Sequence, residues 1–188
     1  MRKVIITLAI LFVLLVIGLS WYISGLNRVV ILNEAVKAEW SQVETQLQRR
    51  NDLIPNLVNT VKGYAAHEKG IFTEVTKLRS QWASASSRQD KIKTANKMTD
   101  AISKLLLVAE NYPDLKANEN FLTLQSQLEG TENRIAVARR RYNEKVRSFN
   151  TYIRTVFGSF FAKMRKLDKP EVYFKAEVAA KAVPKVKF

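Results

Sequence analysis

Apolar residues recur every three or four positions between Val36 and Tyr64, which is the spacing of one face of a helix that packs against other helices. This pattern predicts a first helix of the body from about Leu26 to Ala65. The positions on the face are Val36, Trp40, Val43, Leu47, Arg50, Ile54, Leu57, Val61 and Tyr64. Pro55 lies inside this helix. Because the spacing continues across it, we expect the proline to bend the helix rather than end it.

Three further segments show the same spacing, over residues 71–82, 92–109 and 121–156. "SASSRQD" reads as a loop that ends with Asp90 as a candidate N-cap, and "ENYPDLKANEN" as a turn in which Asn118 can cap the last helix. The connections are short, so neighbouring helices should run antiparallel. The sequence therefore predicts an all-α protein whose body is an antiparallel, up-and-down four-helix bundle.

An uncharged run from Val4 to Asn27 precedes the body. About 20 apolar residues suffice to cross the hydrocarbon core of a bilayer. The alternative is a cleaved signal peptide, with Arg2 and Lys3 as its basic start. The run is longer than a usual signal core, and "SWYISGLN" offers a poor cleavage site. Trp21 and Tyr22 fit the aromatic belt of a membrane interface. We therefore expect a retained transmembrane helix, with residues 4–24 in lipid.

The predicted organisation has three parts: a transmembrane anchor (1–25), the helical bundle (26–157) and a basic, aromatic C-terminal tail (158–188). Basic residues interleaved with aromatic ones suit an anionic membrane surface. The residues expected to make these contacts are Lys163, Arg165, Lys166 and Lys169. An equally good alternative is a tail held along the bundle by its aromatic side chains, with its lysines in water.

Two charged residues, Arg50 and Glu132, occupy positions on otherwise apolar helix faces. In antiparallel first and fourth helices they fall at about the same height, so we expect them to pair inside the bundle and to fix the helix register. Gln46, Thr131 and Asn133 could satisfy the remaining hydrogen bonds. The alternative is that both charged side chains reach solvent.

The composition offers little for catalysis. The net charge is +14. The chain has no cysteine, and this absence excludes disulfides, thiol nucleophiles and cysteine-based metal sites. His67 is the single histidine, and no phosphate-binding or nucleophile motif occurs. The arginines of "RIAVARRRY" point in different directions on a helix, so nucleic-acid binding is not expected. We expect no catalytic residue, no metal, no cofactor and no small-molecule substrate.

The chain resembles the bacterial LemA family from about Leu26 to the C-terminus. The resemblance rests on "RRNDLIPNLVNTVKGYAAHEKGIFTEVTKLRSQW", "YPDLKANENFLTLQSQLEGTENRIAVARRRYNEKVRSFN" and "YFKAEVAAKAVPKVKF". It implies a single membrane anchor, a helical bundle, no established catalytic activity and no cofactor. The segment after "NTYIRT" departs from the family, because the usual Phe-Pro pair is absent.

The sequence thus favours a non-enzymatic scaffold or adaptor, anchored once in the bacterial cytoplasmic (inner) membrane, that offers its bundle to a protein partner or to the bilayer surface. The alternative is a self-assembling protein that remodels membranes. Arg2, Lys3 and the terminal amine outweigh Arg28 and Lys37, which favours a body on the non-cytoplasmic side.

Overall fold

The computed structural model describes residues 1–175, and all regular secondary structure in that range is helical. The helices are α1 (Arg2–Tyr64), α2 (Lys69–Ser84), α3 (Arg88–Val108), a 3₁₀ turn (Ala109–Asn111), α4 (Pro113–Lys116), α5 (Glu119–Tyr152) and α6 (Val156–Met164). The predicted all-α class is confirmed, and so is the long apolar helix at the N-terminus.

The described residues form two compact units. One, here called the anchor unit, comprises Met1–Glu39 and Asn143–Glu171; the other, the core unit, comprises Trp40–Tyr142 and residues 172–175. α1 and α5 each contribute to both units, because each helix continues across a unit boundary.

Side chains from α1, α2, α3 and α5 share one apolar cluster in the core unit. Its fully or almost fully buried members are Ile54, Leu57, Val61, Ala65, Phe72, Val75, Leu78, Met98, Ala101, Ile102, Leu105, Val108, Ala109, Leu115, Phe121 and Leu128. Burial of a leucine or valine side chain contributes about 1.5–3 kcal/mol. The three-or-four spacing read from the sequence therefore marks the side of each helix that leaves water.

α1 and α5 run antiparallel within the core unit. The Asn118 amide donates a hydrogen bond to the Tyr64 hydroxyl at 3.0 Å, and the rings of Trp40 and Tyr142 meet edge to face with centroids 5.4 Å apart. The start of α5 therefore lies beside the C-terminal turn of α1, and Tyr142 of α5 lies beside Trp40 of α1.

Local capping explains where α3 and α5 begin. The backbone N–H of Phe121 donates to Asn118 Oδ1 at 3.0 Å, as expected for an N-cap. The N-cap of α3 is Ser87, whose Oγ accepts from the Asp90 N–H at 3.1 Å. The prediction of Asp90 as the cap was therefore wrong by three positions, since Asp90 lies in the first turn.

In the anchor unit, the apolar segment from Val4 to Ile23 is exposed except at Tyr22, which is half-buried. It is the one segment of the described chain that is long and apolar enough to cross a membrane. Beyond this segment, the anchor unit has further buried residues: Val29 and Val36 of α1, Val146 and Phe149 of α5, and Gly158, Phe161 and Ala162 of α6.

The structure differs from the sequence prediction at two helix ends. α1 is one helix through both Leu26 and Pro55, so the expected boundary between residues 25 and 26 lies inside it. α5 ends at Tyr152 instead of continuing to Val156, and the expected boundary between residues 157 and 158 lies inside α6.

The turn between α5 and α6 has a clear physical cause. Thr155 is extended and caps α6, since its Oγ1 accepts from the Gly158 N–H at 3.1 Å. A Cβ at position 158 would lie 2.0 Å from the Tyr152 carbonyl oxygen. Glycine therefore permits the close approach that lets the chain turn here.

Candidate functional site

Arg50 is the centre of a buried polar cluster in the core unit. α1 brings it inward on its apolar face, and its side chain is 3% exposed. Nη1 donates hydrogen bonds to Glu132 Oε1 and to Thr99 Oγ1, each at 2.8 Å, and Nη2 donates to the Ala95 carbonyl oxygen at 2.9 Å. One guanidinium therefore connects α1 with both α3 and α5.

Glu132 is the more solvated partner of this ion pair, with a side chain 34% exposed. Removing one partner of a fully buried pair costs about 3–5 kcal/mol, because the other charge is left without compensation. Loss of Glu132 should cost less, since Thr99 and Ala95 still accept from Arg50 and water reaches the carboxylate side. We therefore expect the ion pair to specify the register of the helices rather than to add net stability.

The further partners suggested by the sequence lie elsewhere. The Thr131 hydroxyl donates to a backbone carbonyl of its own helix at 2.7 Å, Asn133 is exposed, and Gln46 Oε1 is buried with no hydrogen-bond partner in the described structure. Sequence reasoning missed Thr99 and Ala95. Thr99 follows Ala95 by one helical turn on α3, which was a weak sequence signal that its side chain could face Arg50. The Ala95 acceptor is a backbone carbonyl, which no sequence pattern can identify.

Arg139 is the member of the "RRR" run that faces inward, while Arg140 and Arg141 are exposed. Burial lowers the pKa of the Arg139 guanidinium, the Glu132 carboxylate raises it, and the Arg50 cation lowers it. An arginine stays protonated near neutral pH despite such a shift. The core unit thus keeps two cations close to one carboxylate.

Residues 172–175, here called the C-terminal strap, pack on the core unit. The Tyr142 hydroxyl donates to the first carbonyl of the strap at 2.7 Å, and the Asn96 side-chain amide donates to the last at 2.8 Å. The buried Phe174 ring lies under the Arg139 guanidinium, 4.1 Å from centroid to Cζ. At these positions the aromatic side chain holds the tail to the helices. The tail beyond residue 175 lies outside the described residues.

The remaining sequence-predicted residues are not part of the Arg50 cluster. Pro55 lies within α1, which continues through it, and His67 is exposed in the turn before α2. The four basic tail residues are all exposed in the anchor unit: Lys163, Arg165, Lys166 and Lys169. Within residues 1–175, no group of three or more His, Cys, Asp or Glu side chains could hold a metal ion.

The arrangement of the Arg50 cluster suits structural work. Its three hydrogen-bond acceptors, on Glu132, Thr99 and Ala95, all receive their bonds from the Arg50 guanidinium. The cluster therefore connects α1, α3 and α5 through hydrogen bonds.

Comparison with known proteins places these features in a family. The profile of the LemA family matches residues 39–188. A protein LemA of Metamycoplasma hominis is 23% identical over 172 residues, which cover 90% of this chain and 78% of that protein.

Magnetosome proteins are also similar. Magnetosome protein MamQ 2 of Paramagnetospirillum magneticum is 25% identical over 153 residues, covering 68% of this chain and 56% of that protein. Magnetosome protein MamQ of Magnetospirillum gryphiswaldense is 25% identical over 172 residues, covering 78% of this chain and 63% of that protein. The chain thus spans less than two thirds of the length of these magnetosome proteins.

A double-mutant cycle tests whether Arg50 and Glu132 are coupled. Arg50→Met, Glu132→Leu and the double variant are compared by chemical unfolding of the full chain in detergent micelles. We expect the double variant to be more stable than the sum of the two single losses predicts, by about 0.5–3 kcal/mol, because each single change leaves one charge without its partner.

The exposed pair Lys37–Glu34, with Nζ and Oε1 2.8 Å apart, provides the matched control. The same cycle there should give a coupling of at most about 0.5 kcal/mol. Additive losses at Arg50 and Glu132, or a coupling no larger than that of the control pair, would refute the assigned role.

Proposed function

The chain belongs to the LemA family, and we propose that it acts without catalysis, as a scaffold or adaptor anchored by one membrane helix. The observation that carries this proposal is the continuity of α1. Its N-terminal part leaves an apolar surface uncovered, while its residues from Trp40 onward build the core of the core unit. A helix that continues from an apolar span into a folded core would connect that core to the bilayer.

The membrane anchor is supported by the distribution of side chains on α1. Apolar side chains cover all sides of the segment from Val4 to Trp21, and they remain exposed in the structure. A helix that is apolar on every side needs an apolar environment on every side. Trp21 at its end is suited to the boundary between lipid tails and headgroups.

An up-and-down four-helix bundle is the arrangement we propose for the core unit. The four longer helices of the core unit all contribute to one apolar cluster, and the contacts between α1 and α5 show that these two run antiparallel. The connections between α1, α2 and α3 are a few residues long, which favours antiparallel neighbours.

A non-catalytic role agrees with the chemistry of the described residues. The most deeply buried charged group, Arg50, is occupied by hydrogen bonds to three acceptors on neighbouring helices. Protein LemA and magnetosome protein MamQ 2, to which the chain is similar, do not have enzyme names. We propose a protein partner as the ligand of the core unit.

Self-assembly is the second candidate function. It is favoured by large apolar side chains that the core unit leaves exposed, among them Leu107, Leu122 and Val137. Side-by-side association of copies through these positions could cover them. Such an assembly on a bilayer could remodel the membrane.

Photo-cross-linking distinguishes the two functions. A photoreactive phenylalanine analogue replaces Leu122, which is 48% exposed, in the full chain in native membranes; a matched variant carries it at the exposed, charged Lys97. A scaffold predicts a discrete product with another protein at position 122 and none at position 97. A product of twice the chain's mass would support self-assembly instead. No product at position 122 would contradict both.

We propose the bacterial inner membrane as the location and the non-cytoplasmic side for the body, on the positive-inside balance of Arg2 and Lys3. The chain has no cysteine, so Ser86→Cys in the exposed α2–α3 loop gives a unique label site. A membrane-impermeant maleimide that has access to the outer face of the inner membrane should label this cysteine. A cysteine inserted after Met1 is the control, and it should react only after the inner membrane is opened. The reverse pattern would place the body in the cytoplasm.

A further inference from the structure

α6 carries two apolar faces, and only one of them is covered. Gly158, Phe161 and Ala162 are buried on one side of the helix. On another side stand Val156, Phe160 and Met164, which follow one another at intervals of four residues and are exposed by 84%, 53% and 50%. Of these, Met164 also touches α1, since its Sδ accepts a hydrogen bond from the Tyr22 hydroxyl at 3.5 Å. A helix at a protein surface normally turns one apolar face to the core and a polar face to water. The second apolar face therefore requires its own environment.

The covered face of α6 lies against the end of the apolar segment of α1. The Phe161 ring is 5.2 Å from the Trp21 ring and 6.0 Å from the Tyr22 ring, centroid to centroid. A Cβ on Gly25 would lie 2.2 Å from the Phe161 ring, so the glycine is what admits the ring. Both helices belong to the anchor unit. α6 therefore lies at the level where the proposed membrane span ends.

The charges around α6 match an anionic surface. Four basic residues lie in its last turn and just beyond it, all exposed: Lys163, Arg165, Lys166 and Lys169. Asp168 is the one acidic residue in the same stretch. Lysine and arginine beside an apolar helix face are the pattern of helices that lie in the headgroup region of a bilayer.

We propose that α6 is an interfacial helix that lies in the plane of the membrane and binds anionic lipid headgroups. Val156, Phe160 and Met164 enter the boundary of the acyl chains, and the basic residues contact the lipid phosphates. The inference rests on the proposed membrane anchor, and it adds a second attachment that fixes α6 at the end of the span. Lipid is favoured over a second copy of the chain because apolar and basic groups adjoin at the depth where tails and headgroups meet.

Spin labelling of the full chain tests the inference. Single cysteines at Phe160 and, as the control on another side of α6, at Ser159 are labelled in vesicles of phosphatidylcholine with a quarter of phosphatidylglycerol. Collision with oxygen, which concentrates in lipid, is compared with collision with a water-soluble nickel chelate. We expect the oxygen-to-nickel ratio to be several-fold higher for the label at position 160 than for the label at 159.

The lipid charge is tested by replacing Lys163, Arg165 and Lys166 with glutamine. The ratio at position 160 should then fall in the anionic vesicles, towards its value in pure phosphatidylcholine. A label at position 160 that collides freely with nickel in both lipids would overturn the inference. Broadening of the label signal by a label on a second copy, with oxygen excluded, would overturn it in favour of self-assembly.

The membrane anchor and the interfacial helix can be refuted separately. If the chain does not float with vesicles at all, the proposed membrane anchor is wrong, and the inference falls with it. If the chain floats with the vesicles but position 160 remains in water, the anchor stands and the interfacial helix alone is refuted.

Discussion

Burial of apolar side chains from α1, α2, α3 and α5 is the interaction on which the core unit depends. Most helical stability in proteins comes from packing of one apolar face, and such packing stabilises each of these helices. The first part of α1 carries the same chemistry on every side, so no single neighbouring helix could cover it. The same physical effect therefore folds one part of the chain and makes the exposed apolar part suited to an apolar environment such as lipid.

The Arg50 cluster shows how a charge is accommodated in such a core. A bare guanidinium would be excluded, but here three acceptors from two neighbouring helices surround it. A shift of α5 by one turn would move Glu132 by about 5.4 Å and break the ion pair. Apolar faces alone tolerate such shifts more readily, because methyl groups are nearly equivalent partners. We therefore expect the polar cluster to limit the number of registers available to the helices.

Apolar spacing was sufficient to predict the all-α class and the positions of α2 and α3, because one face of each helix is buried over its whole length. It failed at the end of α5, because Val156 continues the spacing although the chain has already turned. Thr155, three residues before Gly158, was the available sequence signal for that turn, as a cap followed by a residue small enough for the close approach. Counting residues along two antiparallel helices was enough to predict that Arg50 and Glu132 lie at about the same height. The contacts of Arg50 with α3 could not be predicted, because they depend on how the helices pack.

Amide hydrogen exchange of the full chain in lipid nanodiscs, compared with detergent micelles, tests whether one part of the chain forms a shared helical core while the N-terminal segment enters lipid. The account predicts slow exchange in both media for peptides that contain Leu57, Leu105 and Ile135, whose side chains are buried. It predicts protection of the Val4–Ile23 segment that is strongest in the bilayer. Exchange of the Leu57, Leu105 and Ile135 peptides within seconds in the bilayer would contradict a shared helical core. A bilayer that left the N-terminal segment unprotected would contradict the anchor.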